Sequence, residues 1–265
     1  MIGQKKLLEK LNKYTIDSFP RSIILMGEEG SGKHTVANHI KEDILKLPLY
    51  DITNEVSNEY ITKIYLNPNP AIYLINLNNM TEKQQNVLLK FIEEPLETSF
   101  IILLTESRVN VLNTILNRCI IFEMDSYSKE ELSNFISEKE NKELILNVIR
   151  TPGKIKSIDF DNLIGLYNLC DNIINKLSIA SYPNTLSIVD KINYTDEYNK
   201  YDINLFFDTL TYKLSNAFIS THNTKLYDMY LRLINERKKL LDKRLNKELF
   251  MTNLLSNLWR LYCDK

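Results

Sequence analysis

The chain has 265 residues, with 33 Lys+Arg against 34 Asp+Glu and a formal net charge of −1 at pH 7. That length accommodates two or three packed units, and the near-zero charge excludes a globally basic nucleic-acid wrapper. The three cysteines, Cys119, Cys170 and Cys263, have no C-x-x-C spacing, so they supply neither a zinc ribbon nor a disulfide framework and point to a reducing, cytoplasmic setting.

The start, Met1-Ile2-Gly3-Gln4-Lys5-Lys6-Leu7, reads as the opening of an amphipathic helix and not as a signal peptide. No apolar stretch approaches the roughly 18 residues that span a bilayer, so no membrane partner is expected. The apolar run Ser22–Met26 predicts a buried strand. It leads directly into Gly27-Glu28-Glu29-Gly30-Ser31-Gly32-Lys33, where three of the chain's six glycines fall. A strand that ends in G-x-x-x-x-G-K and continues into a helix is a phosphate-binding loop. Its glycines let backbone N–H groups converge on an anion, and its lysine neutralises the outer phosphates. Gly27, Gly30, Ser31, Gly32 and Lys33 are therefore candidate ATP or ADP ligands, with His34 and Thr35 beside them. The residue after the lysine normally carries the hydroxyl that holds Mg²⁺. Here it is His34, and Thr35 comes one residue late, about 100° further round the helix. The loop can bind an anion, but Mg²⁺ is not expected to be well held. Val36, Ile40 and Ile44 mark the following helix.

Leu49-Tyr50-Asp51-Ile52 reads as a short edge strand and Ala71–Asn76 as a buried one. An ATPase needs an acid at the end of such a second strand to hold the metal and orient water. This chain has Asn76 and Leu77, then Asn78 and Asn79. An amide carries no charge for a metal and is no general base, which predicts a degenerate site without hydrolysis of its own. An active ATPase would have to recruit another carboxylate, with Glu93 or Asp51 as candidates. Between Met80 and Pro95 lies a helix with a Thr81/Gln84 capping box and Val87, Leu88, Phe91 and Ile92 on its apolar face. Phe100–Thr105 and Cys119–Met124 follow as strands buried on both faces, so the first half reads as a parallel α/β sheet.

After Met124 strand signals stop. Ser128 and Glu131 form a second capping box, and helical patterning continues to about residue 180 with a break at Thr151-Pro152-Gly153. Ser181-Tyr182-Pro183-Asn184 is the expected linker. Beyond it, Leu226, Tyr230 and Leu233 form one helical stripe, and Met251, Leu254, Leu255, Leu258 and Leu261 another. Arg237-Lys238-Lys239 with Lys243-Arg244 could form a local basic face for nucleic acid, with a solvated helix flank as the preferred reading. The expected domains are 1–124, 125–182 and 183–265.

Ile2-Gly3-Gln4, the phosphate loop, the helix Asn86-Val87-Leu88-Leu89-Lys90-Phe91-Ile92-Glu93-Glu94-Pro95 and the segment Thr114-Ile115-Leu116-Asn117-Arg118-Cys119 occur in the order found in clamp-loader AAA+ subunits. The chain resembles that family nearly end to end, and within it the bacterial delta-prime type, in a shortened form without the zinc module. The resemblance implies an AAA+ parallel-sheet domain, a small helical lid and a C-terminal helical collar, the last carrying Lys243-Arg244-Leu245-Asn246-Lys247-Glu248-Leu249. It implies that Arg118 is an arginine finger acting in trans on a neighbouring subunit's ATP, although Asn117 stands where the family has serine. It also implies that Ile2, Gly3 and Gln4 lie near the adenine, Thr105 at the sensor-1 position and Lys154 at the sensor-2 position. The implied partners are clamp-loader ATPase subunits and a delta-type subunit in a hetero-pentamer, the sliding clamp indirectly, and primer–template DNA. DNA would be met through its phosphates, at the N-terminus of the Thr81–Glu94 helix and Lys83. A nucleotide-independent adaptor that keeps the fold only as a scaffold is the third reading.

Overall fold

A computed structural model of the chain describes residues 3–66, 69–136, 142–176, 192–193, 201–242 and 244–263. Its contacts divide into two compact units: Met1–Ser137 with Thr151–Lys154, and Glu138–Arg150 with Ile155–Lys265. The expected lid segment 125–182 is therefore shared between the units. The expected linker at Ser181–Asn184, like Ile2 and Lys243, lies outside the described residues.

The first unit is built on five parallel strands: β1 (Ser22–Met26), β2 (Leu49–Asp51), β3 (Ala71–Asn76), β4 (Ser99–Thr105) and β5 (Ile120–Glu123). Their order in the sheet is β2-β3-β4-β1-β5. The helices are α1 (Lys5–Leu11), α2 (Lys33–His39), α3 (Asn58–Tyr65), α4 (Glu82–Glu93), α5 (Asn113–Leu116) and α6 (Lys129–Ser133). They lie in layers on the sheet's two faces, and strand alternation decides which residue meets which layer. Ile24, Ile75, Ile101 and Leu103 pack with Leu88 and Phe91 of α4. Ile23, Leu25, Ile72 and Ile102 pack with Leu7, Leu11 and Val36 on the other side. Central strands covered on both faces read as nearly continuous apolar runs; β1 and β4 are buried throughout, with small hydroxyl residues (Ser22, Ser99, Thr105) only at their ends.

The strand expectations hold for β1 and β3 residue for residue, and β2 lies at the sheet edge as predicted. The expectation that Cys119–Met124 is buried on both faces is corrected. β5 is the opposite edge, and Ile120 is 48% exposed while Phe122 alone is fully covered. The helix after the glycine loop is also modified. α2 stops at His39, and Ile40–Leu45 winds as a π-helix, which turns Leu45 rather than Ile44 into the core.

Both capping boxes form. The Thr81 hydroxyl accepts from Gln84 N–H at 3.3 Å and Thr81 N–H donates to the Gln84 side chain at 2.9 Å; Ser128 and Glu131 repeat the arrangement. At the far end of α4, the Lys90 carbonyl accepts from Glu94 N–H at 3.0 Å, and the Tyr65 hydroxyl, 3.1 Å from the Glu94 carbonyl, donates to that remaining acceptor of the last turn.

The second unit is mainly helical: α7 (Lys142–Val148), the body of α8 (Pro152–Ser157), α9 (Phe160–Lys176), α10 (Ile203–Thr221), α11 (Thr224–Arg237) and α12 (Lys247–Cys263). One short parallel pair, β6 (Ile192–Asn193) with β7 (Tyr201–Asp202), contradicts the expectation that strands end at Met124. Phe206, Phe207, Leu210, Leu226, Met229, Leu233, Met251 and Leu254 form one core. The predicted stripes are those of α11 and α12, except that Leu261 is 39% exposed. Arg237 is not a solvated flank. Its guanidinium donates to both carboxylate oxygens of Asp208 at 2.8 and 2.9 Å, a two-pronged pairing that only arginine makes. Among the described residues no helix is long and apolar enough to cross a membrane.

Replacing Thr81 with alanine removes the acceptor for Gln84 N–H and should cost about 1 kcal/mol of α4 stability. The expected outcome is roughly 5-fold faster hydrogen exchange for the first-turn amides of α4, with exchange in α11 unchanged.

Candidate functional site

Because the strands are parallel, the loops that follow them gather at one end of the sheet, where open α/β sheets bind ligands. The Gly27–Lys33 loop leaves β1 there. Gly30 and Gly32 hold φ of 74° and 94°, values that favour glycine. Lys33 is buried, and its ammonium donates to the carbonyls of Gly27 at 2.6 Å and Glu28 at 2.9 Å. Burial pulls its pKa below the ordinary lysine value, opposed by the negative charges of Glu106, Glu29 and Glu28. The Ser31 hydroxyl is buried without a hydrogen-bond partner, and an orphaned donor inside a glycine-rich loop fits an anion. The residues therefore suit a nucleotide's phosphates. They suit a metal less well, because His34 and Thr35 both face solvent.

The other predicted positions fall around this loop with one exception. Gln4 is buried and exchanges two hydrogen bonds with the Asp125 backbone, at 2.8 and 2.7 Å. Gly3 lies against the Tyr127 ring, and the Tyr127 hydroxyl donates to the Ser31 carbonyl at 2.9 Å. The N-terminal segment thus reaches the loop through a tyrosine that sequence reading missed. Thr105 ends β4, and its carbonyl accepts from Gly27 N–H at 3.1 Å while its hydroxyl donates to the Ser107 carbonyl at 2.9 Å. Asn76 ends β3 with its side-chain oxygen accepting from Asn78 N–H at 3.0 Å, and Leu77 is wholly buried. Neither presents a carboxylate to the loop.

The segment Thr151–Lys154 closes over the loop. The Thr151 hydroxyl donates to the Glu29 carbonyl at 2.8 Å, and Gly153 N–H donates to the Gly30 carbonyl at 3.0 Å. A Cβ on Gly153 would stand 2.4 Å from Gly30 Cα, and one on Gly30 would stand 2.9 Å from Lys154 N. Two backbones meet here with no room for a side chain. The Lys154 backbone is thereby placed at the loop.

Arg118 is the exception. It precedes β5, whose first residue Ile120 pairs with Ile23 near the start of β1. Arg118 therefore lies at the end of the sheet opposite the glycine loop, beyond Ile120, which is itself about 13 Å of strand from Gly27. Its guanidinium pairs with Glu93 at 2.7 Å and donates to the Thr114 carbonyl at 2.8 Å, and its side chain is 39% exposed. The two sequence signatures, the helix ending in Glu93-Glu94-Pro95 and the segment around Arg118, thus meet through one ion pair. The adjacent Cys119 is buried enough to push its thiol up to about 12, so it is no nucleophile.

Residues 50–128 match the family described as "DNA polymerase III, delta subunit". The chain is similar to clamp-loader subunits of DNA polymerase III over this span. The matched span contains Asn76, Glu93, Thr105 and Arg118 and stops short of the glycine loop. DNA polymerase III subunit delta' of Buchnera aphidicola subsp. Schizaphis graminum is 26% identical over 115 residues, which is 43% of this chain and 34% of that protein. The replication factor C small subunit of Methanothermobacter thermautotrophicus is 22% identical over 205 residues, 71% of this chain and 64% of that one. The chain thus spans less than two thirds of each of these curated relatives. Among solved structures, a RuvB variant of Thermotoga maritima is 16% identical with a TM-score of 0.47, over 83% of this chain and 77% of that one. The chain combines a five-stranded parallel sheet that carries the glycine loop with a helical C-terminal part.

Gly153→Ala should force Thr151–Lys154 off the loop and destabilise the first unit by about 1–3 kcal/mol, as overpacking does. Gly165→Ala, whose Cβ meets only the tip of Tyr201, is the control. Hydrogen exchange at residues 28–32 should rise in the first variant alone.

Proposed function

We propose that this chain is a delta-prime-like clamp-loader subunit that binds nucleotide without hydrolysing it and lends Arg118 to the ATP site of a neighbouring ATPase subunit. The observation that carries the reading is the separation of Arg118 from the chain's own glycine loop by the length of the sheet. A guanidinium at that end cannot act on phosphates at the other end of its own chain. It can act on those of a molecule docked there. A planar, permanent cation is suited to stabilising charge on a transferring phosphoryl group.

The pairing with Glu93 does not stand in the way. Both side chains are about two-fifths exposed, and such pairs contribute at most about 1 kcal/mol, so Glu93 can hold the arginine ready and release it. Asn76 and Leu77 support the absence of hydrolysis. The hydrolytic alternative finds little in its two candidate acids. Glu93 lies at the wrong end of the sheet. Asp51 sits on the edge strand β2, three strand spacings or about 14 Å from β1, with its carboxylate accepting from Thr53.

In this reading ATP or ADP lies on Gly27–Lys33, with Gly3 and Gln4 beside the base. The phosphates would be met by the Ser31 hydroxyl, the Lys33 ammonium and the N–H groups of the loop. The second unit forms the collar contacts of a hetero-pentamer with ATPase and delta-type subunits. That ring loads the sliding clamp on primer–template DNA in the cytoplasm.

Arg118→Ala, reconstituted with the partner subunits, should lower turnover at the adjoining ATP site by at least about 100-fold, given that such fingers supply about 10³ or more. Arg118→Lys should not restore it, and the lone chain should show no steady-state turnover. Unchanged turnover in the Arg118→Ala ring would remove the finger. Lys33→Ala separates the nucleotide-independent adaptor from this reading. The wild type should gain about 2.7 kcal/mol of stability at nucleotide concentrations 100 times Kd, and the variant none.

A further inference from the structure

The exit of β3 has lost its acid, but an acid stands at the exit of β4. Met26 and Thr105 are paired in the sheet, and Gly27 N–H donates to the Thr105 carbonyl at 3.1 Å. Glu106 is the next residue, so it leaves the sheet beside the first residue of the glycine loop. Its carboxylate does not swing free. Asn78 grips it from both sides: the Asn78 amide donates to Glu106 Oε1 at 3.1 Å, and Glu106 N–H donates to Asn78 Oδ1 at 2.9 Å. Asn78 is fixed in turn by the hydrogen bond from its own N–H to the Asn76 side chain. Among the acids acting on the Lys33 ammonium, Glu106 acts most strongly, ahead of Glu29 and Glu28 of the loop itself.

A fixed carboxylate at the mouth of a phosphate cradle repels incoming phosphates in a setting where charges are poorly screened. A divalent cation reverses the sign of that interaction. Mg²⁺ is typically held by one or two carboxylates together with a substrate's phosphates, keeping several waters. We propose that Glu106, held by Asn78, makes nucleotide binding at the glycine loop depend on a divalent cation, and so selects the metal complex of ADP or ATP over the bare anion. The inference rests on the nucleotide reading given above. It gives the metal a ligand in this chain although His34 and Asn76 replace the two usual ones. It assigns Glu106 no role in attacking water, since the Asn78 grip fixes the carboxylate for charge rather than proton transfer.

The test is calorimetric titration of the full chain with ADP and with ATP, each with excess MgCl₂ or with EDTA. In the wild type, Mg²⁺ should tighten binding about 10-fold or more, the effect of one nearby charge. Glu106→Gln keeps the shape and the acceptor for Asn78 but removes the charge. It should bind the metal-free nucleotide about 10-fold tighter and lose most of the Mg²⁺ advantage. An equal Mg²⁺ advantage in wild type and Glu106→Gln would overturn the inference while leaving nucleotide binding intact. Absence of any binding by the wild type, with or without Mg²⁺, would remove the nucleotide reading and this inference together. Should Glu106→Gln fail to fold, Glu106→Ser serves instead. It likewise removes the charge and should lose most of the Mg²⁺ advantage, and an unchanged advantage would equally overturn the proposal.

Discussion

A parallel sheet has a direction, and in this chain that direction sorts the chemistry. Every strand of the first unit runs the same way, so the residues that follow strands and the residues that precede them can never share a site. Gly27–Lys33, Asn76–Asn79, Glu106 and Asp125–Tyr127 follow strands and converge. Arg118 precedes one, and Glu93 ends a helix that has run back to the same side. The hydrogen bond from Gly27 N–H to the Thr105 carbonyl extends the ladder one residue past the sheet, which ties the loop to β4 before any side chain takes part. Buried apolar strands hold this polarity in place. The separation of the chain's own glycine loop from the Arg118 guanidinium is therefore a property of the topology and not of particular side-chain rotamers.

Local rules made much of this visible in the sequence. The continuous apolar runs gave β1 and β3 to the residue, because strands covered on both faces are apolar through their interior and turn polar only at their ends, at Ser22 and Asn76. The capping boxes at Thr81 and Ser128 were legible because a cap and its partner are three residues apart. Long-range contacts were not. Cys119–Met124 reads as a central strand through its run Ile120-Ile121-Phe122, yet β5 is an edge; the charged Glu123 was the one local sign of it, and the strand order shows that Ile120 lacks a neighbour. The π-helix at Ile40–Leu45 has no local signature either, since Ile44 and Leu45 are equally good core residues until the chain's winding selects one.

The candidate site divides along the same line. The glycine loop and the segment around Arg118 were readable as motifs, and Asn76-Leu77 as a loss. What the motifs could not give was contact: Tyr127 on Ser31, Thr151 and Gly153 on Glu29 and Gly30, Asn78 on Glu106. Each joins residues distant in sequence through one or two hydrogen bonds. Gly153 held a clue, because glycine beside proline at a helix start is unusual on helix propensity. The sequence cannot say that what excludes a side chain there is the backbone of Gly30.

The substitution at the end of β3 then has a physical reading beyond loss. A carboxylate only accepts, whereas an amide both donates and accepts. Asn78 uses both functions on one residue, giving its N–H to the Glu106 carboxylate and taking the Glu106 backbone N–H. An aspartate at 78 could do the second but would repel the first. An amide-rich exit from β3 is thus compatible with a fixed acid on β4, in a way that an acidic exit is not. Moving the negative charge one strand closer to β1 places it beside the glycine loop, while Leu77 at the exit of β3 is buried. Under the proposed function, charge for holding a nucleotide and chemistry for cleaving it are separable, with the first on β4 and the second missing from β3.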